Sequence, residues 1–182
     1  AAQLINYDNH RGMFDALGVR QTNGLLMWMS QSSWPSFMWQ SYDYYLYTNG
    51  GYFGLKTGNQ PTRAFLDPRN DTVLLSNATP RCFRDLLVRE ELFDLYGRPV
   101  QRKEYAVPAL TEDAYAVPVA TVDWSVSDTD VVFLRLTLLA RGAEVLGQNT
   151  YWHNRRDYQD YRALRTIPKT RVSVRILDSS FV

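Results

Sequence analysis

From Pro61 onward, the chain consists of short segments in which apolar and polar residues alternate, with turn residues between them. In the clearest segment, residues 130–140, Leu134 and Leu136 fall on one face while Arg135 falls on the other. This period of two indicates strands with one buried face. Short strands at such spacing over about 115 residues predict an antiparallel, two-sheet β-sandwich of immunoglobulin type. The predicted strands are residues 62–66, 72–76, 84–96, 100–107, 114–120, 130–140, 144–152 and 171–177.

The first 60 residues follow a different pattern. Residues 3–17 carry apolar residues at three- and four-residue spacing, which predicts a helix that ends at Gly18. The unbroken apolar run at 25–29 predicts a strand covered on both faces, as in a parallel sheet, and residues 52–58 predict a second helix. Together these elements predict the last β/α part of a TIM barrel without the rest. The predicted fold is an α+β fragment with two domains, a barrel remnant at 1–60 and the sandwich at 61–182.

A strand covered on both faces needs neighbours, and no other segment of the first 60 residues can supply them. We therefore expect Phe14, Leu17, Leu25 and Met27 to expose apolar surface unless the remainder of the barrel covers them. The first predicted partner of this chain is thus the rest of its own barrel.

The charge and the residue types exclude several classes of function. The formal net charge is only +1 and the basic residues are dispersed, so no nucleic-acid partner is expected. One cysteine, Cys82, and two histidines, His10 and His153, are too few for a disulfide framework or a metal cluster. No apolar run reaches the roughly 18 residues of a transmembrane helix, and no signal peptide is recognisable. We expect no metal, no cofactor and no membrane.

Aromatic residues make up 14% of the chain and concentrate in the loop before the second predicted helix. Its Trp34-Pro35-Ser36 string, followed by Trp39 and by Tyr42-Asp43-Tyr44-Tyr45, resembles the segment after the last barrel strand in family 2 glycoside hydrolases. The resemblance is greatest to the exo-β-D-glucosaminidases and their endo-β-mannosidase relatives. It implies the C-terminal portion of a retaining β-glycosidase that acts on β-linked glucosamine or mannose residues. The resemblance extends through residues 2–14, 51–56, 148–152 and 160–164.

The family resemblance implies two catalytic glutamates, an acid/base and a nucleophile, about 5 Å apart across the sugar. They would lie on barrel strands that precede this chain, whose own first glutamate is Glu90 in the sandwich. We therefore expect no catalytic residue here and no activity from the chain alone. The glutamates of the sandwich are expected on the solvated surface: Glu90, Glu91, Glu104, Glu112 and Glu144.

The resemblance does carry over substrate contacts in the aromatic loop. Trp28 and Trp34 match positions that face or support the sugar pocket, where an indole can stack on the C–H face of a pyranose. Between the two tryptophans the family usually has a Leu-Asn-Asn/Asp-like stretch, where this chain has Ser30-Gln31-Ser32-Ser33. Gln31 keeps an amide donor and acceptor, whereas Ser32 replaces an asparagine or aspartate. Asp43 can contact the ammonium of an amino sugar. The alternatives are that the tryptophans pack the last barrel helix against the sandwich and that Asp43 caps the loop through backbone amides.

Two further interpretations remain open, a free-standing carbohydrate-binding module and a structural spacer that only supports a barrel. The lone predicted strand at 25–29 counts against the module. The predicted ligand is a carbohydrate, namely a glycan with β-linked glucosamine or mannose. The resemblance also implies a secreted or periplasmic location, and Asn70-Asp71-Thr72 and Asn77-Ala78-Thr79 fit the N-glycosylation pattern.

Overall fold

The computed structural model describes residues 2–20, 24–36, 40–157 and 159–175. Within these ranges two helices come first and seven strands follow. Neither described helix combines the length and the apolar character of a membrane-spanning segment. The elements are α1 (Ala2–Arg20), α2 (Gly50–Gly58), β1 (Thr62–Asp67), β2 (Thr72–Asn77), β3 (Phe83–Phe93), β4 (Pro99–Leu110), β5 (Ala114–Thr121), β6 (Val131–Leu139) and β7 (Val145–Asn154), with 3-10 turns at Trp124–Val126 and Arg162–Thr166.

The strands form two antiparallel sheets with the orders β1-β2-β5 and β4-β3-β6-β7. The predicted two-sheet sandwich is confirmed, and seven of the predicted strands are present with their ends shifted by a few residues. The prediction of an eighth strand at residues 171–177 is wrong for residues 171–175, which form no strand. Val172 and Val174 are 78% and 89% exposed, so this segment buries no apolar face against a sheet. Residues 176 and 177 lie outside the described residues.

The space between the sheets is filled by apolar side chains, mostly leucine and valine. On the two central strands of the larger sheet, Leu92 of β3 pairs with Leu134 of β6, and Val88 pairs with Leu138. All four side chains are fully buried. Burial of one such side chain stabilises a fold by about 1.5–3 kcal/mol. The sandwich therefore builds a core from its own strands.

Glu90 corrects the prediction that the glutamates of the sandwich are solvated. It lies on the inward face of β3 between Val88 and Leu92 and is 1% exposed. The Tyr105 hydroxyl donates a hydrogen bond to Glu90 Oε2 at 3.3 Å, while Oε1 has no hydrogen-bond partner among the described residues. Burial raises the pKa of Glu90, and attraction to Lys103 opposes that shift. The other four glutamates are half-buried or exposed: Glu91, Glu104, Glu112 and Glu144.

The prediction that α1 ends at Gly18 is wrong, because the helix continues to Arg20. Gly18 is buried against the sandwich, and a Cβ at this position would lie 2.7 Å from Cζ of Phe65 on β1. A side chain of any size would push the helix away from the sheet. Gly18 therefore serves close packing between helix and sandwich, and not a left-handed helix cap.

Helix α2 packs on α1 through its glycines. A Cβ added at Gly54 would overlap the carbonyl oxygen of Tyr7, and one added at Gly58 would lie 2.8 Å from Cβ of Phe14. The backbone of α2 thus lies directly against α1, an approach that glycine permits because it has no side chain. The helix predicted at residues 52–58 is confirmed, and it begins earlier, at Gly50.

No strand forms at residues 25–29. A strand needs a neighbour that bonds its N–H and C=O groups, and the described part of the chain offers none here. The prediction of a doubly covered strand is therefore wrong for this chain by itself. Leu26 is 98% exposed instead. Leu4 and Ile5 of α1 are also exposed, at 56% and 60%. The four side chains predicted to expose apolar surface are half-buried: Phe14, Leu17, Leu25 and Met27.

Candidate functional site

The connection between α1 and α2 carries the four residues predicted to contact a sugar. Trp28 and Trp34 are 76% and 69% exposed, Gln31 is exposed, and Asp43 is half-buried. Since both indoles face the outside, neither packs the helices against the sandwich in this structure. Trp39, which belongs to the same aromatic string, lies outside the described residues.

Backbone hydrogen bonds fold this connection back on itself. The amide of Tyr42 donates to the carbonyl oxygen of Ser30 at 2.9 Å, as part of a bridge between Gln31 and Tyr42. A second bridge joins Tyr42 to Thr48. Gln31 is thereby held beside the residue that precedes Asp43, so two of the four predicted contact residues lie on neighbouring stretches of backbone.

A small polar cluster supports the connection between the two tryptophans. The Ser32 hydroxyl donates to Gln40 Oε1 at 3.3 Å, and the Ser36 hydroxyl donates to Ser32 Oγ at 3.1 Å. Ser32 and Gln40 are 7% and 2% exposed. Buried hydrogen bonds of this kind are costly to break without replacement. Ser32 therefore holds the loop in place and is not available to a ligand.

Asp43 caps the turn that follows it. Its Oδ1 accepts hydrogen bonds from the amides of Tyr45 and Tyr47, both at 2.9 Å. This is the loop-capping arrangement that was the alternative to a sugar contact. The rings of Tyr44 and Tyr45 meet edge-on with centroids 5.1 Å apart, and both side chains are largely exposed.

Asn49 connects the aromatic loop to α2, and the sequence pattern did not single it out. Its Oδ1 accepts from the amides of Gly51 at 2.8 Å and Tyr52 at 3.3 Å, which caps the first turn of the helix. Its Nδ2 donates to the carbonyl oxygen of Gln40 at 2.5 Å. The signal that predicts it is an asparagine directly before a helical segment, because asparagine is a preferred N-cap residue.

A second group of polar residues fastens α1 to the sandwich. The Tyr151 hydroxyl of β7 donates to Asp15 Oδ2 at 3.0 Å and accepts from the amide of Leu66 on β1 at 3.1 Å. Arg63 forms an ion pair with Asp15. The guanidinium of Arg11 lies 4.0 Å above the centroid of the Tyr151 ring. Burial raises the pKa of Tyr151 well above its usual value, so its hydroxyl stays protonated and remains a donor.

A cavity of about 500 Å³ lies beside this group, between α1, the β1–β2 turn and β7. Of its carboxylates, Asp8 is paired with Arg11 and Asp67 with Arg69, while Asp71 forms no ion pair among the described residues. Burial lowers the pKa of His153 on the cavity wall, and Asp71 opposes that shift. The paired charges indicate a structural role, because no carboxylate in these pairs is left free for proton transfer.

The chain is similar to three curated proteins named exo-β-D-glucosaminidase. It is 31% identical to the protein of Streptomyces avermitilis over 158 residues, 83% of this chain and 18% of that protein. The Arthroderma benhamiae protein is 30% identical over 161 residues, 86% of this chain and 18% of the relative. The Amycolatopsis orientalis protein is 32% identical over 162 residues, which are 83% of this chain and 15% of that protein. The chain therefore spans less than a fifth of these relatives' lengths. No protein-family model matches it.

Solved structures share the fold. The crystal structure of Amycolatopsis orientalis exo-chitosanase CsxA superposes with a TM-score of 0.76 at 26% identity, over 84% of this chain and 19% of that one. A β-D-mannosidase from Dictyoglomus thermophilum superposes with a TM-score of 0.66 at 21% identity, over 82% of this chain and 19% of that one. This second match shows the fold alone. The sequence matches to the curated relatives define the class: the chain is a homologue of family 2 glycoside hydrolases. Within that class its relatives are the exo-β-D-glucosaminidases, and it matches their C-terminal domains.

Proposed function

We propose that this chain is the C-terminal portion of a retaining β-glycosidase that acts on β-linked glucosamine or mannose residues. Residues 1–60 complete a TIM barrel, and residues 61–182 form the immunoglobulin-like sandwich that supports it. The upstream part of the protein supplies both catalytic glutamates. Trp28 and Trp34 form an aromatic wall of the sugar pocket, with Gln31 and Asp43 beside them.

The observation that carries this proposal is the exposure of Trp28 and Trp34 on a braced loop, in a homologue of exo-β-D-glucosaminidases. Exposed indoles that share one loop are unusual on a protein surface unless a partner or ligand covers them. An indole face matches the C–H face of a pyranose, and a rigid ring loses little entropy on binding. Ser32, which lies between the two tryptophans in sequence, is hydrogen-bonded to Gln40 and supports this part of the loop.

Asp43 can both cap its turn and contact an amino sugar. Oδ1 is occupied by two backbone amides, whereas Oδ2 has no hydrogen bond within the described ranges. A carboxylate oxygen with a free lone pair can accept from the ammonium of a glucosamine, and such charge-assisted hydrogen bonds are strong. Gln31 lies on the adjacent stretch of backbone and offers an amide to sugar hydroxyls.

The barrel part of the proposal rests on the apolar side chains of the first 60 residues. Leu4, Ile5, Leu26 and Trp28 are each more than half exposed. In a closed barrel, a strand at 25–29 would pair with strands on both sides, and α1 and α2 would cover its outer face. The remainder of the barrel is therefore the partner that this surface fits.

The second candidate is a non-catalytic module, either carbohydrate-binding or structural. The observation that favours it is the apolar core of the sandwich, whose buried cluster consists of sandwich residues alone. A carbohydrate-binding module would bind chitosan or mannan oligosaccharides as the isolated chain. A structural module would bind neither.

The test is hydrolysis of an aryl β-glucosaminide and an aryl β-mannoside, first by this chain alone and then by the whole protein that contains it. We expect no turnover by the chain and turnover of one substrate by the whole protein. In the whole protein, Trp34→Ala should lower kcat/KM by about tenfold, since lost stacking is worth about 1 kcal/mol or more. Tyr96→Ala is the matched control, because Tyr96 is also an exposed aromatic residue, 55% against 69% for Trp34, and lies on the sandwich. Turnover by the chain alone, or equal effects of both variants, contradicts the proposal.

We also propose that the protein is secreted or periplasmic, as the resemblance implies. Fractionation of the source cells, followed by detection of the chain in the medium or periplasm, tests this location. Recovery only from the cytoplasm contradicts it.

A further inference from the structure

Two Asn-X-Thr sequences flank β2, and the structure distinguishes them. Asn70-Asp71-Thr72 lies in the turn between β1 and β2, and Asn77-Ala78-Thr79 lies at the end of β2. We propose that Asn70 is an acceptor site for N-linked glycosylation and that Asn77 is not. This proposal rests on the proposed passage of the protein through a secretory route.

Asn70 is presented to solvent in a tight turn. It is exposed, and Asp71 adopts a left-handed conformation with φ of 56° that reverses the chain beside it. Asn70 Oδ1 accepts from the amide of Thr72 at 3.3 Å, and the Thr72 hydroxyl lies 3.5 Å from the carbonyl oxygen of Asn70. Among the described residues, Nδ2 of Asn70 makes no hydrogen bond. The nitrogen that would receive a sugar is therefore free and faces water.

Asn77 has the opposite environment. It is 0% exposed, and its Nδ2 donates to the carbonyl oxygens of Arg81 at 2.6 Å and Thr111 at 2.8 Å. Its Oδ1 accepts from the hydroxyls of Thr62 and Thr79. A sugar on Nδ2 would remove a donor from this network and would have no space. A chain glycosylated at Asn77 could not adopt this fold, because buried polar groups left without partners are destabilising.

The modification would use a lipid-linked oligosaccharide diphosphate as the donor. Nδ2 of Asn70 forms a bond to the anomeric carbon of the first sugar, and the bond from that carbon to the phosphate oxygen breaks. The lipid diphosphate leaves, and Nδ2 loses one proton. The Thr72 hydroxyl is required because the acceptor pattern includes a serine or threonine at that position.

The experiment places a cleavable secretion leader before this chain and expresses it in a glycosylating eukaryotic host. The chain that resists limited proteolysis is collected from the medium and from the cells, and glycans are released with an amidase that converts the modified asparagine to aspartate. Peptide mass mapping should find the conversion at Asn70 and not at Asn77. Occupied Asn77 in the protease-resistant chain, or unmodified Asn70 in both fractions, overturns the proposal.

Two variants of Thr72 test whether its hydroxyl is needed for the modification. Thr72→Val keeps the shape and the strand preference of the side chain but removes the hydroxyl, so the glycan at Asn70 should be lost. Thr72→Ser keeps the acceptor pattern and should keep the glycan.

If the chain is not secreted, translation into microsomes reports modification independently of folding, and no modification at Asn70 there also overturns the proposal. Since the leader is supplied, this result does not depend on the natural location of the protein, which the fractionation described above tests separately.

Discussion

The sandwich strands and the two helices before them bury different kinds of residue. In the sandwich, the buried side chains of β3 and β6 are mainly leucine and valine. In α1, the buried residues are His10, Arg11, Asp15 and Gly18, while Leu4 and Ile5 are exposed. Helix α1 is therefore attached to the sandwich by hydrogen bonds, an ion pair and a close glycine contact, and α2 packs on α1. This difference indicates that the strands build the apolar core of the sandwich from their own residues, whereas the helical part leaves apolar side chains such as Leu4 and Ile5 uncovered.

The largest expected effect comes from a cavity in the core of the sandwich. Leu134→Ala removes a fully buried side chain, so it should lower the free energy of unfolding by about 2–5 kcal/mol. Leu26→Ala is the matched control on the helical part, where the side chain is 98% exposed, and it should change stability by less than about 0.5 kcal/mol. Urea unfolding of both variants measures this difference. A large loss of stability from Leu26→Ala would mean that this segment is packed in solution. The two parts would then not differ in how they bury apolar side chains.

The next effect concerns the contact between the helices. Gly54→Ala places a Cβ against the carbonyl oxygen of Tyr7, so α2 must move and stability should fall by about 1–3 kcal/mol. Gly12→Ala also lies in a helix, but nothing is within 4 Å of the added Cβ. That variant should gain up to about 1 kcal/mol from the better helix propensity of alanine. Thermal unfolding measures the expected loss of stability in Gly54→Ala and the expected gain in Gly12→Ala. A loss of similar size in the two variants would contradict the close contact between α1 and α2.

A smaller effect is expected at the N-terminus of α2. Asn49→Ala removes the side-chain acceptor for the amides of Gly51 and Tyr52, which should cost about 1 kcal/mol. Asn49→Asp keeps the acceptor and should retain most of the stability, although it loses the hydrogen bond to Gln40. Hydrogen exchange at the amides of Gly51 and Tyr52 is the measurement. Exchange should accelerate in the alanine variant, and unchanged protection in that variant would show that the cap contributes nothing.

The smallest effect depends on pH and comes from Glu90. Burial raises its pKa above the ordinary value of 4.5 in the folded chain, so folding favours the protonated form. The contribution of Glu90 to stability is therefore fully present below about pH 4.5 and is lost as the pH rises through the raised pKa. Glu90→Gln remains neutral, so it should be more stable than the parent chain at about pH 7 and approach it below about pH 4.5.

Urea unfolding at several pH values tests the sign of this effect. Glu112→Gln, at an exposed position, is the control and should leave the pH profile unchanged. A Glu90→Gln variant that is less stable than the parent chain at neutral pH would mean that Lys103 and Tyr105 stabilise a charged Glu90 by more than its burial costs.

The strands could be predicted from the sequence because alternation reports directly which face of a strand is buried. The same alternation places Glu90 with Leu92 on the inward face of β3. The prediction of a solvated Glu90 is wrong because its position on the inward face of the strand buries it despite its charge. Burial of a carboxylate depends on neighbours such as Tyr105 and Lys103, and these come from a different strand.

The predictions for the helical part were less accurate because they depended on contacts that are distant in sequence. Gly18 was predicted as a helix end, but it is needed for contact with Phe65 on β1. The segment at 25–29 has the composition of a buried strand but no neighbour to pair with. In the aromatic loop, Trp28 and Trp34 are exposed and their sugar contacts stay a prediction. The supporting role of Asn49 depends on Gln40 and on α2. Sequence spacing alone could not show that role.

The hydroxyl of Tyr151 joins three elements that are far apart along the chain, namely α1 through Asp15, β1 through Leu66, and β7 itself. A force applied along α1 would reach the first and last strands of the sandwich together. Detachment of α1 would remove the acceptor Asp15 from this hydroxyl and uncover the place where β1 and β7 meet, so local opening there should involve all three elements.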